Sequence, residues 1–249
     1  SLRRIIMSKI AIIIPSRLQA IRLTDKPLKT INNKEMIVHV LEVATKADMG
    51  DVIVATPDQK IVEVVKKNNG KAVITKFDHE TGTDRIFEVF EKVLNKEPEI
   101  IINLQGDMPN LDPLSIKHLI NHMEKKTCDI GTLASDLLKK EEIKNDNIVK
   151  VVTKKNIDKK DFSQAEDFFR ISKYPLSNPV YHHIGIYAFT KEALVRYVSL
   201  EQTKKELNRN LEQLRALDAN MKIHVGYTSS APLSVDTEED LENIQKIMK

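Results

Sequence analysis

Short apolar runs recur through the first half of the chain, at residues 10–14, 52–55, 72–75 and 100–104. Apolar side chains at nearly every position predict strands buried on both faces. Between or after them, residues 36–46, 58–68, 83–94 and 112–125 carry apolar positions at helical spacing with charges in the gaps, which predicts amphipathic helices. That alternation predicts βαβ units, hence an α/β fold with a mostly parallel sheet flanked by helices. The second half is less regular. Residues 130–134, 148–153, 183–189 and 222–225 predict strands, and 191–198, 211–217 and 237–248 predict helices. Residues 154–177 are polar and mixed, fitting a hairpin and a mobile loop. With no repeat, low-complexity tract or linker, the reading is one domain over 1–249 with an inserted lobe at about 130–215.

Composition narrows the function classes. The chain is 41% hydrophobic and 30% charged, ordinary for a globular protein with a substantial core. A net charge of +3, from 39 basic and 36 acidic residues, carries no nucleic-acid or membrane signal, but leaves cations for a small anionic ligand. No apolar run approaches the roughly 20 residues of a membrane span. One cysteine, Cys128, excludes an intrachain disulfide framework and fits a reducing, cytoplasmic setting. The seven histidines lack cysteine partners at zinc spacing, so a structural zinc site is not expected. Met7-Ser8-Lys9 reads as a native start, with residues 1–6 an upstream addition.

The strongest candidate chemistry follows the run at 100–104. Gln105-Gly106-Asp107 sets a carboxylate just past the carboxyl end of a buried strand, where open α/β sheets bind ligands. There, one or two carboxylates can hold magnesium beside substrate phosphates. The loop after the first strand has no glycine, since the first of only seven is Gly50; this excludes a glycine-rich phosphate loop at that place. Arg17, Arg22 and Lys26 offer cationic side chains instead. The stretch from Asp78 to Arg85 joins a strand to a helix; Thr81, Gly82, Thr83 and Arg85 suit an anion at a helix N-terminus, and equally an ordinary N-cap. Asp236, before the last helix, is a second candidate carboxylate, or an N-cap paired with Glu239.

Taken in order, these segments resemble the 3-deoxy-manno-octulosonate cytidylyltransferase family, over about residues 10–246. Ile14-Pro15-Ser16-Arg17 through Arg22-Leu23 to Lys26-Pro27-Leu28 is similar to the family's first loop. Val54-Ala55-Thr56-Pro57-Asp58, the Thr81–Arg85 loop, Gln105-Gly106-Asp107-Met108-Pro109, His183-Ile184-Gly185-Ile186-Tyr187, Leu211-Glu212-Gln213-Leu214-Arg215 and Val235-Asp236-Thr237 follow. Each motif is weak alone; their order and spacing are specific. Gln19-Ala20-Ile21 lacks the family's Ser-Thr before arginine, Asp25 stands where glycine is common, and Met108 replaces an acid.

The resemblance implies a nucleotide-diphospho-sugar transferase-like fold with a smaller lobe for homodimerisation. It implies transfer of CMP from CTP to the sugar acid 3-deoxy-manno-octulosonate (Kdo) for lipopolysaccharide synthesis, with no nucleic-acid partner or membrane insertion. Carried over by motif, Arg17, Lys26, Asp107 and Asp236 are catalytic. Ser16, Arg17, Lys26, Thr81, Gly82, Thr83 and Arg85 bind nucleotide. Arg22, Gln105, His183, Tyr187, Glu212 and Gln213 bind the sugar, and Asp107 and Asp236 bind Mg2+. On their own, Tyr187 also suits a core aromatic, Glu212 and Gln213 the wet face of a helix, and His183 either a general base or a ligand to sugar hydroxyls. The rivals are another CMP-sugar synthetase, such as one for sialic acid, and a nucleotide-sugar-binding module without turnover.

Overall fold

The structure is a computed structural model and describes residues 9–19, 22–172, 177–229 and 231–248. Ala20 and Ile21 of the substituted loop, and the start expected at Met7, lie outside the described residues. The chain divides into two compact units: Ser1–Lys117 with Pro232–Lys249, and His118–Ala231. The second begins earlier and ends later than the lobe expected at 130–215.

The first unit opens with β1 (Ile10–Pro15), the hairpin strands β2 (Thr30–Ile31) and β3 (Lys34–Glu35), and α1 (Met36–Ala47). It continues with β4 (Asp51–Thr56), α2 (Gln59–Lys67), β5 (Lys71–Ile74), α3 (Gly82–Lys92), β6 (Ile100–Leu104) and the start of α4 (Pro113–Met123). β1 pairs in parallel with β4 on one side and β6 on the other, and β4 pairs in parallel with β5. Ile12, Ile13, Ile14, Ile101 and Ile102 are fully buried, as strands covered on both faces require. Ile13 lies opposite Asn103, so β1 and β6 end side by side and deliver their loops to one place.

The sequence reading did not anticipate the β2–β3 hairpin. Its turn residues Asn32 and Asn33 both have positive φ, 52° and 62°, the conformation of a two-residue type I′ turn. The hairpin buries Ile31.

The second unit holds β7 (Ile130–Ser135), α5 (Lys140–Lys144), β8 (Lys150–Thr153), β9 (Ser163–Phe169), β10 (Val180–Thr190), α6 (Lys191–Val198), α7 (Lys204–Arg209), α8 (Leu214–Asp218) and β11 (Ile223–Tyr227). Its strands pair in a closed ring, β10-β7-β11-β9-β8 and back to β10. Only β7–β11 is parallel within it. The polar stretch 154–177 supplies β9, whose inward positions begin with the small Ser163 and Ala165, too weak a pattern to read as a strand; Lys173, Tyr174, Pro175 and Leu176 lie outside the described residues. The helix expected at 211–217 begins only at Leu214. α7 ends at Asn210 in the left-handed conformation, and Leu211 to Gln213 form the turn between.

The chain then returns to the first unit as α9 (Glu238–Ile247). Leu23, Ile31, Met36, Val235, Leu241 and Ile244 form one buried cluster. It locks the first loop, the hairpin, α1 and the returning segment together. Ile244→Ala should therefore lower stability by about 2–5 kcal/mol, measured by urea denaturation. A loss below about 0.5 kcal/mol, the size of a surface effect, would show that the cluster does not hold the returning segment.

Candidate active site

In the first unit, the ends of β1 and β6 and the start of α3 converge around Pro15 and Ser16. Ser16 donates its backbone N–H to Ala55 O at 2.9 Å, and Leu18 N–H donates to Asp58 Oδ2 at 2.8 Å. Asp58, from the Val54-to-Asp58 motif, thus pins the glycine-free loop. A Cβ on Gly82 would lie 3.2 Å from Pro15 Cγ, and one on Gly106 would lie 3.6 Å from Pro15 O. The Ser16 hydroxyl is buried and has no hydrogen-bond partner among the described residues, so its capacity is open to a ligand oxygen.

Lys26 begins a single 3-10 turn, Lys26–Leu28, whose N-cap Asp25 sits in the left-handed region at φ 54°. Asp tolerates that conformation better than most residues. Lys26 Nζ lies 3.2 Å from Asp236 Oδ1. Asp236 is not the helix cap. Thr237 caps α9, accepting from Asp240 N–H at 3.1 Å, and Asp240, not Glu239, completes the box by accepting from the backbone of Thr237. The Asp236 carboxylate is therefore free for other work.

Val235 N–H donates to Asp107 O at 2.9 Å, tying the returning segment to the turn after β6. The Ser234 hydroxyl lies 3.0 Å from Asp107 Oδ2 and 3.3 Å from Asp236 Oδ2. The two acids, far apart in sequence, share one hydroxyl. Two carboxylates with a hydroxyl between them form an all-oxygen set, which fits a hard divalent cation that reserves other positions for water and phosphate. Burial pushes the Asp107 carboxyl above the usual carboxylate range; Lys26 opposes that rise, Asp236 adds to it, and the Ser234 hydrogen bond opposes it. Ser234 escaped the sequence reading. Its signal was its place two residues before Asp236 in an extended stretch, which puts both side chains on one side.

Arg17 and Arg22 are exposed. Gln105 donates through Nε2 to Asn103 Oδ1 at 3.3 Å, and Asn103 donates to the buried Thr83 hydroxyl at 3.3 Å. Thr81 is the N-cap of α3: its hydroxyl accepts from Asp84 N–H at 3.1 Å and lies 2.9 Å from Asp84 Oδ2. Arg85 is buried and donates through Nη1 to Thr75 Oγ1 at 2.6 Å and Lys76 O at 2.7 Å. In this structure Thr81, Thr83 and Arg85 thus bond to protein partners, holding β5, β6 and α3 in place.

In the second unit, the His183-to-Tyr187 motif lies on β10 at a register shift between Ile184 and Tyr187 against β7. Thr132 occupies the irregularity, donating to Ile186 O at 2.7 Å with Ile184 O at 3.2 Å. His183 Nε2 lies 2.9 Å from the same hydroxyl. With the Thr132 proton committed to carbonyls, Nε2 carries the imidazole proton and donates. Burial lowers the His183 pKa to about 3, so the ring is neutral. This disfavours the general-base option and suits a ring that orients hydroxyls. The Tyr187 ring lies 5.6 Å from it, and burial, then the Glu212 charge, raise the Tyr187 phenol.

Glu212 and Gln213 are not on a wet helix face: both precede α8, and Gln213 is buried. The turn is held by Arg215, which the sequence reading named only as the end of the motif, and by Glu206 and Tyr197, which it did not name. Arg215 donates to Glu206 at 3.0 Å through Nε and 2.5 Å through Nη2, both groups being buried, and its guanidinium stands 5.1 Å from the Tyr197 ring centroid. Tyr197 donates its hydroxyl to Glu212 O at 3.2 Å.

A sequence model of the family described as Cytidylyltransferase matches residues 11–223. The 3-deoxy-manno-octulosonate cytidylyltransferase of Bartonella tribocorum is 39% identical over 241 residues, covering 95% of this chain and 97% of that protein. That of Rhodopseudomonas palustris is 40% identical over 242 residues, covering 97% and 98%. A solved structure of CMP:2-keto-3-deoxy-manno-octonic acid synthetase complexed with CTP matches with a TM-score of 0.86 at 35% identity, covering 97% of this chain and 98% of its own. The mixed α/β fold is shared with that structure.

The raised Asp107 pKa fixes the sign of a pH effect. An acid whose folded pKa exceeds its unfolded value holds its proton more tightly in the fold. Stability then declines as pH rises from the ordinary carboxylate range through the folded pKa. Asp107→Asn should remove that decline and raise the thermal stability of the metal-free protein at neutral pH. Equal melting temperatures for variant and parent across an acid-to-neutral series would refute this.

Proposed function

From this chain's membership of the cytidylyltransferase family, we propose that it transfers CMP from CTP to the anomeric hydroxyl of Kdo, releasing pyrophosphate. The observation that carries the mechanism is the meeting of Asp107, Asp236 and Lys26 at the end of β6. The reaction needs the sugar oxygen to attack the α-phosphorus as the bond to pyrophosphate breaks in line with it, and the hydroxyl proton passes to solvent. No covalent enzyme intermediate is required; positioning and charge stabilisation suffice. Lys26 and Arg17 bind the triphosphate and face the charge that builds on the departing pyrophosphate. Ser16 offers its buried hydroxyl to a phosphate oxygen.

Asp107 and Asp236 would hold Mg2+, which when bound neutralises and orients phosphate oxygens. Ser234 keeps the two carboxylates aligned. Thr81, Gly82, Thr83 and Arg85 support the nucleotide loop by fixing the start of α3 against β1. Arg22 and Gln105, with His183, Tyr187, Glu212 and Gln213, recognise the sugar acid. His183 remains neutral and orients hydroxyls rather than removing a proton. The proposal extends to a cytoplasmic homodimer assembled through the second unit, with a largely parallel nucleotide-binding sheet, serving lipopolysaccharide synthesis.

Pyrophosphate release is expected only with Mg2+, CTP and Kdo together. Equal rates with N-acetylneuraminate or with UTP would reject the acceptor or the base assignment. Asp236→Asn should cut turnover at least about a hundredfold with the fold intact by circular dichroism; a near-parental rate removes Asp236 from the metal site. Arg17→Lys, which replaces a planar fork with a point charge, should lower kcat/KM by more than about twofold. A smaller loss means that Arg17 does not grip phosphate with two donors.

A further inference from the structure

Histidines and a cysteine scattered in sequence meet inside the second unit. His122 lies near the end of α4, Cys128 in the turn that follows, and His224 on β11. One ligand atom from each lies within 4.8 Å of the other two. His122 Nε2 and His224 Nδ1 are 2.8 Å apart. About 3.3 Å separates two nitrogens on one tetrahedral zinc, given bonds of roughly 2.0–2.1 Å. The pair needs to open by only about half an ångström to accept the ion.

The surroundings hold these side chains in place. The His122 ring stacks flat on Phe162, with centroids 3.7 Å apart and planes 2° from parallel. Phe162 has that seat because residue 226 is glycine: a Cβ there would lie 2.3 Å from the ring's Cζ. Gly226 and His224 lie two apart on β11 and so on the same face. One strand thus supplies a ligand and the space for the ring that orients another ligand, as outer groups do at metal sites. The His224 backbone N–H hydrogen-bonds the Cys128 sulfur, a contact that favours thiolate.

The donors select the ion. Two imidazoles and a thiol, without a carboxylate, disfavour hard cations such as Mg2+ and suit zinc. Neither CMP transfer nor sugar recognition as derived above uses these three residues. We propose that His122, Cys128 and His224 bind one zinc(II) ion, with a water in the fourth position. The imidazoles need no net loss of a proton, because burial holds His122 down at about 4 and lowers His224; the proton now between His122 Nε2 and His224 Nδ1 shifts to the other nitrogen of its ring as both atoms bind the ion. The thiol must, since without an ion burial pushes Cys128 up to about 12. The sulfur–hydrogen bond breaks as the sulfur–zinc bond forms, and the proton leaves to solvent.

Anaerobic titration of the metal-stripped full-length chain with cobalt(II), a spectroscopic substitute for zinc, tests this. One equivalent should raise a near-ultraviolet thiolate-to-cobalt band, and zinc should displace it. Cys128→Ser should lose the band while keeping Mg2+-dependent CMP transfer, and His122→Gln and His224→Gln should each weaken zinc binding at least about tenfold. Met123 Sδ lies 3.6 Å from Cys128 Sγ. Met123→Leu should change zinc affinity by less than about twofold, because thioethers suit softer ions; a larger loss would overturn the three-ligand zinc assignment. A folded parent without the band, or a band that survives Cys128→Ser, overturns the site itself.

Discussion

The main-chain hydrogen bond from Val235 to the carbonyl of Asp107 fixes the register on which the meeting of Asp107, Asp236 and Lys26 depends. Such a bond is worth only about 1 kcal/mol net. It cannot by itself draw the end of the chain back to the sheet. Burial can: Leu23, Ile31, Met36, Val235, Leu241 and Ile244 form one cluster, and burying a large apolar side chain contributes about 1.5–3 kcal/mol. The hydrophobic cluster brings the segment home, and the single bond decides which residue faces Asp107. With Val235 buried and its N–H committed, Ser234 on one side turns its hydroxyl toward Asp107 and Asp236 on the other turns its carboxylate toward Lys26.

That arrangement costs stability where it serves chemistry. Two carboxylates around one hydroxyl repel each other, and burial raises the Asp107 carboxyl further. Lys26 offsets part of this, but exposed or half-exposed ion pairs contribute at most about 1 kcal/mol. If the group holds a divalent cation beside phosphates as proposed, those charges would relieve the repulsion, and such an imbalance favours the bound state over the free one.

Much of this was legible in the sequence, for identifiable reasons. Strands buried on both faces leave uninterrupted apolar runs, and β6 was read with the bounds it has. The acid after β6 was singled out because a carboxylate past the end of a buried strand faces the crevice where open α/β sheets bind ligands, and the acid before α9 through its motif's resemblance to the family. What failed to show were choices between equally good local patterns, elements too short to leave a pattern, and contacts distant in sequence. Asp236 and Glu239 matched a capping box as well as Thr237 and Asp240 do, and only coordinates distinguish them. The β2–β3 hairpin hid because its strands are two residues long, although Asn32-Asn33 is a turn signal. α7 and its capping box of Thr203 and Glu206 went unread, and only folding shows that Glu206 also faces Arg215. Arg85 was read as able to reach back to an anion at the helix N-terminus, and only folding shows it buried and bonded to Thr75 and Lys76.

The Glu206–Arg215 pair shows how a buried interaction serves position more than stability. Forming such a pair gains little over apolar residues of the same shape, because both charges lose water, while breaking it by removing one partner costs about 3–5 kcal/mol. A device with that asymmetry does little to deepen the native state but penalises departures from one geometry. The geometry enforced is that of the turn carrying Glu212 and Gln213, since Arg215 lies just beyond it, Tyr197 underlies Arg215, and the Tyr197 hydroxyl grips the Glu212 carbonyl. Three residues that need not touch a sugar thereby fix two that are proposed to. Helix propensity alone, spread over five residues of α8, is too weak to do so.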